Sequence, residues 1–196
     1  VLVSGSGSNL QALIDAQGRG ELAPARLSVV VSNNPTAGAL ARASGAKLPA
    51  VVLDHRQFAS RDAFEADVVR TLGVHGVELV VLAGFTRLIG PTLLSAFANR
   101  ILNVHPSLLP AFPGLSAVQQ ALDYGVRLTG CTVHLVDHGT DTGPIVLQAA
   151  VPVDADDDSV TLHDRIRCHE HRLLPEAVRK MAQGGLVVDG RRARFR

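Results

Sequence analysis

Aromatic residues are scarce: they make up 4% of the 196 residues, with no Trp and one Tyr. That removes the stacking platforms on which single-stranded nucleic acid is held. Excess charge of either sign is also missing. Lys and Arg number 19 against 18 Asp and Glu, a net charge of +1. No bulk field therefore draws the chain to DNA or RNA, and no nucleic-acid partner is expected. No apolar run reaches the roughly 18 residues of a membrane-spanning helix, so no membrane partner is expected either. The chain opens at Val1-Leu2-Val3, with no Met, no charged n-region and no signal-peptide core. We expect the natural start to lie a few residues upstream and the location to be cytoplasmic. Only two cysteines occur, Cys131 and Cys168. They form neither a CxxC pair nor a disulfide framework, which fits a reducing compartment and two small buried side chains.

What is present reads as a globular protein. Hydrophobic residues make up 46% and charged residues 19%, enough to bury a core within one domain spanning 1–196. The expected partner is a small molecule. Short β-branched runs alternate with amphipathic stretches. Strands are expected at Val1–Val3, Leu27–Val31, Val51–Leu53, Leu79–Ala83 and Ile101–Val104. Helices are expected at Asn9–Ala16, Ala37–Ser44, Asp62–Leu72 and Pro91–Phe97. Leu79–Ala83 is apolar throughout, as in a strand buried on both faces. This order predicts an α/β fold, a mostly parallel sheet with helices on both faces. Further on, a helix at Ala117–Tyr124 precedes strands at Cys131–Val136 and Ile145–Val151. A long helix at Ser159–Gln183, with Pro175 as a candidate kink, is capped by Asp158 or Ser159. A terminal hairpin turns at Asp189-Gly190.

Three segments carry candidate chemistry. Ser4-Gly5-Ser6-Gly7-Ser8-Asn9 joins the first strand to the first helix, where backbone N–H groups form an anion site. The third Gly of a dinucleotide fingerprint is missing, as is its acidic residue downstream, and no Gly-Lys-Ser/Thr follows. A phosphate monoester held by Gly7, Ser8 and Asn9 fits better than NAD or ATP; a plain tight turn with Asn9 as helix cap is the alternative. Asn103 and His105 alternate along a strand and so project to one side at its carboxyl end. There an amide NH₂ serves a developing oxyanion and an imidazole passes protons. In Asp137–Pro144, a polar loop, Asp141 beside His105 would favour the imidazolium. Either motif read alone is also compatible with a structural role.

Two sharper readings fail on spacing. Cys168 and His171 share a helix face, but an open zinc site takes three protein ligands and no third is readable, so no metal is expected. The acidic run Asp154–Asp158 lacks the spaced oxygens of a calcium loop and suits a helix N-terminus.

Taken together, Ser4–Gln11 (Ser-Gly-Ser-Gly-Ser-Asn-Leu-Gln), Leu82–Arg87 (Leu-Ala-Gly-Phe-Thr-Arg), Asn103–Pro110 (Asn-Val-His-Pro-Ser-Leu-Leu-Pro) and Asp141–Ile145 resemble the phosphoribosylglycinamide formyltransferases. These are the folate-dependent glycinamide ribonucleotide transformylases of purine synthesis. The resemblance runs in order along nearly the whole chain. It implies a Rossmann-like formyltransferase fold, with residues 1–104 as a phosphate-binding half and 105–196 as a folate and catalytic half. It implies 10-formyltetrahydrofolate as cosubstrate and no metal. Gly7, Ser8, Asn9 and Glu170 would bind glycinamide ribonucleotide. Arg61, Thr86, Arg87, Leu88, Ile89 and Asn103 would line the folate site. Asn103, His105 and Asp141 would be catalytic, with loss of Asn103 as an oxyanion donor costing on the order of 10²–10³ in rate.

This sequence departs from the family at three places. Ser116-Ala117-Val118 replaces a polar, His-containing stretch, Ala111 stands where a basic residue is common, and Arg167 replaces a neutral amide. Arg167 can itself meet a phosphate. Two related activities compete. Methionyl-tRNA formyltransferase would need a further carboxy-terminal domain. Formyltetrahydrofolate hydrolase would carry a regulatory domain before the first strand. A non-catalytic phosphate-ligand sensor is the third alternative, though it has no need of Asn103, His105 and Asp141 together. A homodimer through an exposed sheet edge is left open.

Overall fold

The structure is a computed structural model, and it describes residues 1–195. Five parallel strands come first: β1 (Leu2–Val3), β2 (Val30–Ser32), β3 (Ala50–Val52), β4 (Val80–Leu82) and β5 (Ile101–His105). Between them run α1 (Ser8–Gly18), α2 (Gly38–Gly45), α3 (Arg61–Val74) and α4 (Pro91–Ala96). Then α5 (Ala117–Tyr124) leads into β6 (Leu128–Leu135), β7 (Ile145–Pro152), α6 (Ser159–Gln183), β8 (Leu186–Asp189) and β9 (Arg192–Phe195). All nine strands form one sheet in the order β3-β2-β1-β4-β5-β6-β7-β9-β8. The expected α/β architecture, a mostly parallel sheet with helices on both faces, is what the chain adopts.

Strand alternation sorts the core into two layers. Val1, Val3, Leu102 and Val104 meet Leu10 and Leu13 of α1 and Leu162, Ile166 and Leu174 of α6. Leu2, Val80, Leu82 and Ile101 meet Phe64, Val68 and Leu72 of α3 and Leu93 of α4. Asn103 and His105 fall in phase with Ile101, on the α3/α4 side, above that second layer.

Several boundaries differ from those expected, for local reasons. β2 starts at Val30 rather than Leu27, because the Leu27 N–H donates to the Gln17 side chain and not to a strand. β6 starts three residues before Cys131 and runs straight through Gly130. A Cβ at Gly130 would collide with the Ala149 carbonyl and with Leu108, so glycine here permits close strand pairing. The cap of α1 is Gly7, in the left-handed conformation, and not Asn9; no side chain caps this helix. α6 runs unbroken through Pro175, with Asp158 and Thr161 forming a reciprocal capping box. The terminal hairpin turns where expected, and β9 also joins the sheet beside β7.

One expectation is overturned. Cys131 is buried, but Cys168 is exposed. At 100° per residue, Cys168 lies opposite Ile166 and Glu170 on α6, and its thiol donates to the Asp164 carbonyl. Burial pushes the Cys131 thiol up to about 12, so that sulfur stays protonated.

Candidate active site

The strand order reverses between β1 and β4: β1 leads on to β2 on one side and β4 to β5 on the other, and a crevice opens there at the carboxyl ends of the strands. Ser4 ties the crevice walls together. Its N–H donates to the Gly84 carbonyl (3.1 Å), its hydroxyl donates to Asn33 Oδ1 (2.6 Å), and the Thr86 N–H donates to that hydroxyl (3.0 Å). The loop after β1 and the loop after β4 are thereby fixed relative to each other.

The first cleft, about 850 Å³, is lined by Gly5–Asn9, Gly114–Gln119 and, from α6, His163, Arg167 and Glu170. Glu170 is buried, 4% exposed, and accepts a 3.0 Å hydrogen bond from Asn9 Nδ2. Gly7, Ser8, Asn9 and Glu170 therefore converge although 161 residues separate Asn9 from Glu170. With no side-chain cap on α1, its first N–H groups are open to an anion. The other amide atom of Asn9, Oδ1, is buried without a protein partner. Arg167 also lines this cleft, paired with Asp164 at 2.9 Å, so cationic charge stands beside the loop.

The second cleft, about 660 Å³, brings together Arg61, Thr86–Ile89, Asn103 and His105 with the loop Asp137–Asp141. Apolar Leu82, Phe85, Ile89 and Val136 offer flat walls, and the polar loop closes one side, which suits a flat heteroaromatic ring. Arg87 lies over the Phe64 ring at 5.8 Å. Glu65, buried, accepts from the Gly90 and Leu93 N–H groups and anchors this wall to α3. Gly84, Thr86, Val104, Gly114 and Leu115 line both clefts, so the two meet edge to edge. Each half of the chain supplies both: Glu170 reaches the first cleft, and Arg61 the second.

Asn103, His105 and Asp141 converge in the second cleft, beside the shared residues Val104 and Gly114. Asp141 Oδ2 lies 3.3 Å from His105 Nδ1 and accepts the Gly114 N–H at 2.8 Å. Its Oδ1 lies 3.4 Å from Asn103 Nδ2. His105 Nε2 stands 2.8 Å from the Phe112 carbonyl. Both ring nitrogens of His105 thus face acceptors, an arrangement that suits a ring carrying both hydrogens. Asp141 has φ of 54°, a left-handed conformation that Asp and Asn tolerate best among residues with a side chain. Its loop is braced by Asp137, which accepts from the Gly139 N–H and the Thr142 hydroxyl.

A fourth residue joins them that the motifs did not single out. His134 on β6 sits directly opposite Asn103 in the β5–β6 ladder. Its Nε2 lies 3.1 Å from Asn103 Nδ2 and 3.5 Å from Asp141 Oδ1. The available signal was alternation: within Cys131–Val136, Thr132 and His134 are the polar members of an otherwise apolar run. Thr132, opposite His105, holds the following loop through Ser107 O and the Leu109 N–H. The Asn103 side chain is thereby tied to both His134 and Asp141.

Burial alone would raise the Asp141 carboxyl, but His134, the Gly114 N–H and His105 together hold it below its usual value. A depressed folded-state value stabilises the fold above the unfolded-state value near ~3.9, and that stabilisation is lost as pH falls through the folded-state value. Asp141→Asn keeps the left-handed backbone and removes the charge. Urea unfolding should show the variant less stable than wild type from neutral pH down to about 4, with the gap narrowing below that. A gap independent of pH would contradict this.

The formyl transferase family profile matches residues 1–178. The chain is 48% identical to the phosphoribosylglycinamide formyltransferase of Mycobacterium tuberculosis, over 98% of this chain and 88% of that protein. It superposes on glycinamide ribonucleotide transformylase 1 of Symbiobacterium toebii with a TM-score of 0.97 and 52% identity, covering 99% of this chain and 91% of that one. It is also 44% identical, over 96% of its length, to part of the trifunctional purine biosynthetic protein adenosine-3 of Drosophila melanogaster, of which it spans 14%. On fold, motifs and these likenesses, the chain belongs to the formyl transferase family, and within it to the phosphoribosylglycinamide formyltransferases.

Proposed function

We propose that this protein transfers the formyl group of 10-formyltetrahydrofolate to the amine of glycinamide ribonucleotide, in purine biosynthesis. The observation that carries the reading is that two clefts meet along Gly84, Thr86, Val104, Gly114 and Leu115, with Asn103, His105 and Asp141 in the second cleft beside that seam. One cleft has an uncapped helix start for a phosphate, and the other has apolar walls for a pterin. The ribose phosphate is held by Gly7, Ser8 and Asn9, and the ribose hydroxyls by Glu170. Arg61, Thr86, Arg87, Leu88 and Ile89 position the folate. Small molecules are its partners, no metal enters the chemistry, and its place is the cytoplasm. No helix among the described residues is long and apolar enough to cross a membrane. Association of two copies through a sheet edge belongs to the same proposal.

The substrate amine is the nucleophile, so no covalent enzyme intermediate forms. Its lone pair bonds to the formyl carbon, and the carbonyl pair moves onto oxygen. His105 places positive charge beside that oxygen, and Asp141 keeps His105 charged. The proton leaving the amine passes to Asp141 through water and on to the folate nitrogen as the C–N bond to folate breaks. The test is folate release from 10-formyltetrahydrofolate with and without glycinamide ribonucleotide. Release that requires the amine is expected. Release without it would indicate hydrolase activity, and none with it would overturn the reading.

A further inference from the structure

Two carbonyls precede the uncapped start of α1, and both are drawn to α2. The Gly5 carbonyl accepts from the Ala39 N–H at 3.1 Å. The Ser6 carbonyl accepts from Arg42 Nε at 2.9 Å. It also lies against Gly38, where a Cβ would stand 3.4 Å from it. The helix α1 makes no use of this carbonyl, because its ladder opens one residue later, with the Gln11 N–H donating to Gly7 O at 2.9 Å. Arg42 is held in turn by Gln11, whose Oε1 accepts from Nη1 at 3.2 Å and whose Nε2 donates to Asp15 at 2.8 Å. The other arginines beside the loop are engaged elsewhere: Arg19 with Glu21 and Arg167 with Asp164. Among the described residues, Arg42 is the one cation bonded to the backbone of the loop.

A peptide unit is planar and trans, so its C=O and the N–H that follows point in opposite directions. Holding the Ser6 carbonyl against α2 therefore turns the Gly7 N–H off α2, toward the first cleft that Gly7 lines. From this we infer that Arg42 is a positioning residue for the substrate phosphate: by clamping the Ser6 carbonyl it aims the Gly7 N–H at the anion and keeps a carbonyl dipole away from it. The inference rests on the formyl-transfer reading for its ligand, a ribose phosphate. Without the clamp the Ser6–Gly7 peptide is free to turn over, since glycine tolerates a wide range of φ. A reversed unit faces the phosphate with its oxygen, and a donor is replaced by a repelling acceptor. Arg42 touches no reacting atom, so its loss weakens binding and leaves the chemical step intact.

Two substitutions separate the clamp from the charge. Glutamine carries its amide nitrogen as many bonds from Cα as arginine carries Nε, so Arg42→Gln keeps a donor for the Ser6 carbonyl and loses the charge. Arg42→Met sets a methyl group at that place. Arg42→Met should raise KM for glycinamide ribonucleotide about tenfold or more, the scale of one hydrogen bond to a charged group, with kcat and KM for the folate within about twofold. Arg42→Gln should stay within about threefold of wild type. Equal losses in the two variants would overturn the proposal. So would an equal loss in Arg19→Met, which removes a charge from the same groove without touching the loop. Glycinamide riboside, which lacks the phosphate, gives a second readout. Arg42→Met and wild type should use it within about twofold of each other, and a tenfold loss on this substrate as well would mark general damage and overturn the clamp. Calorimetric titration with ribose 5-phosphate needs no turnover: Kd should rise about tenfold in Arg42→Met, and an unchanged Kd would overturn the proposal. Failure of the formyl-transfer reading would instead show as no amine-dependent turnover by wild type, and the ribose 5-phosphate titration would still decide the clamp.

Discussion

His105→Ala should lower kcat by at least about 10²–10³-fold, the scale on which a donor to a developing oxyanion is worth. No neighbour can replace its charge. Asp141 is an anion, Asn103 is a neutral amide, and Arg87 lies over the Phe64 ring. KM for glycinamide ribonucleotide should change little, because Gly7, Ser8, Asn9 and Glu170 line the first cleft and His105 does not. The variant leaves Phe112 O and Asp141 Oδ2 each short of one partner, although the Gly114 N–H still donates to Asp141. A stability loss of about 1–3 kcal/mol follows, so circular dichroism must establish that the assayed sample is folded. Turnover near wild type in folded protein would remove His105 from the mechanism.

Gly7→Ala should be the most damaging single methyl group in the first cleft. Gly7 has φ of 76°, and a Cβ there would lie 2.6 Å from Ala39 Cβ and 2.7 Å from Ala39 Cα. The left-handed conformation alone costs a residue with a side chain about 1–2 kcal/mol. Relieving the contact means pushing back α2, whose Ala39 N–H donates to the Gly5 carbonyl at 3.1 Å. Overpacking of this kind adds about 1–3 kcal/mol. The displaced backbone carries the N–H groups of Ser8 and Asn9. Each charge-assisted bond to a phosphate is worth about 1.5–3 kcal/mol, so KM for glycinamide ribonucleotide should rise about tenfold to a hundredfold, with KM for the folate less affected. Gly5→Ala is the matched control. A Cβ there meets nothing within 4 Å, and its kinetics should stay close to wild type. Equal effects at the two positions would show that the clash with α2 is not the cause.

Much of this was legible in the chain. Leu79–Ala83 reads as a buried strand because nothing in it is polar, and Asn103 and His105 share a side because strands alternate. What stayed hidden depends on partners that spacing does not name. His134 matters because β6 pairs antiparallel with β5 in the one register that sets it opposite Asn103. The burial of Glu170 depends on α6 packing against the start of α1. Read alone on its helix, Glu170 passes for a solvated residue, and the family resemblance was needed to pick it out. Cys168 was misplaced for the opposite reason: small and apolar by type, it falls on the outer face of a helix whose phase is set by Ile166, Leu173 and Leu174. The Asp141 loop was located from its glycines, but its brace by Asp137 and Thr142 is tertiary detail.

The β6–β7 ladder shifts register between Val133 and His134, where Val146 is the extra residue of β7. Strand side chains repeat every two residues, so a one-residue slip of β6 would carry His134 into the α6 layer and Val133 into the active site. Catalysis therefore acts as a register gauge. A chain that refolds with β6 one residue out retains a sheet, a core and an intact phosphate loop, yet loses the His134 contacts to Asn103 and Asp141. In a refolded preparation, turnover per mole relative to ligand-binding capacity at the first cleft would count the molecules whose hairpin closed correctly.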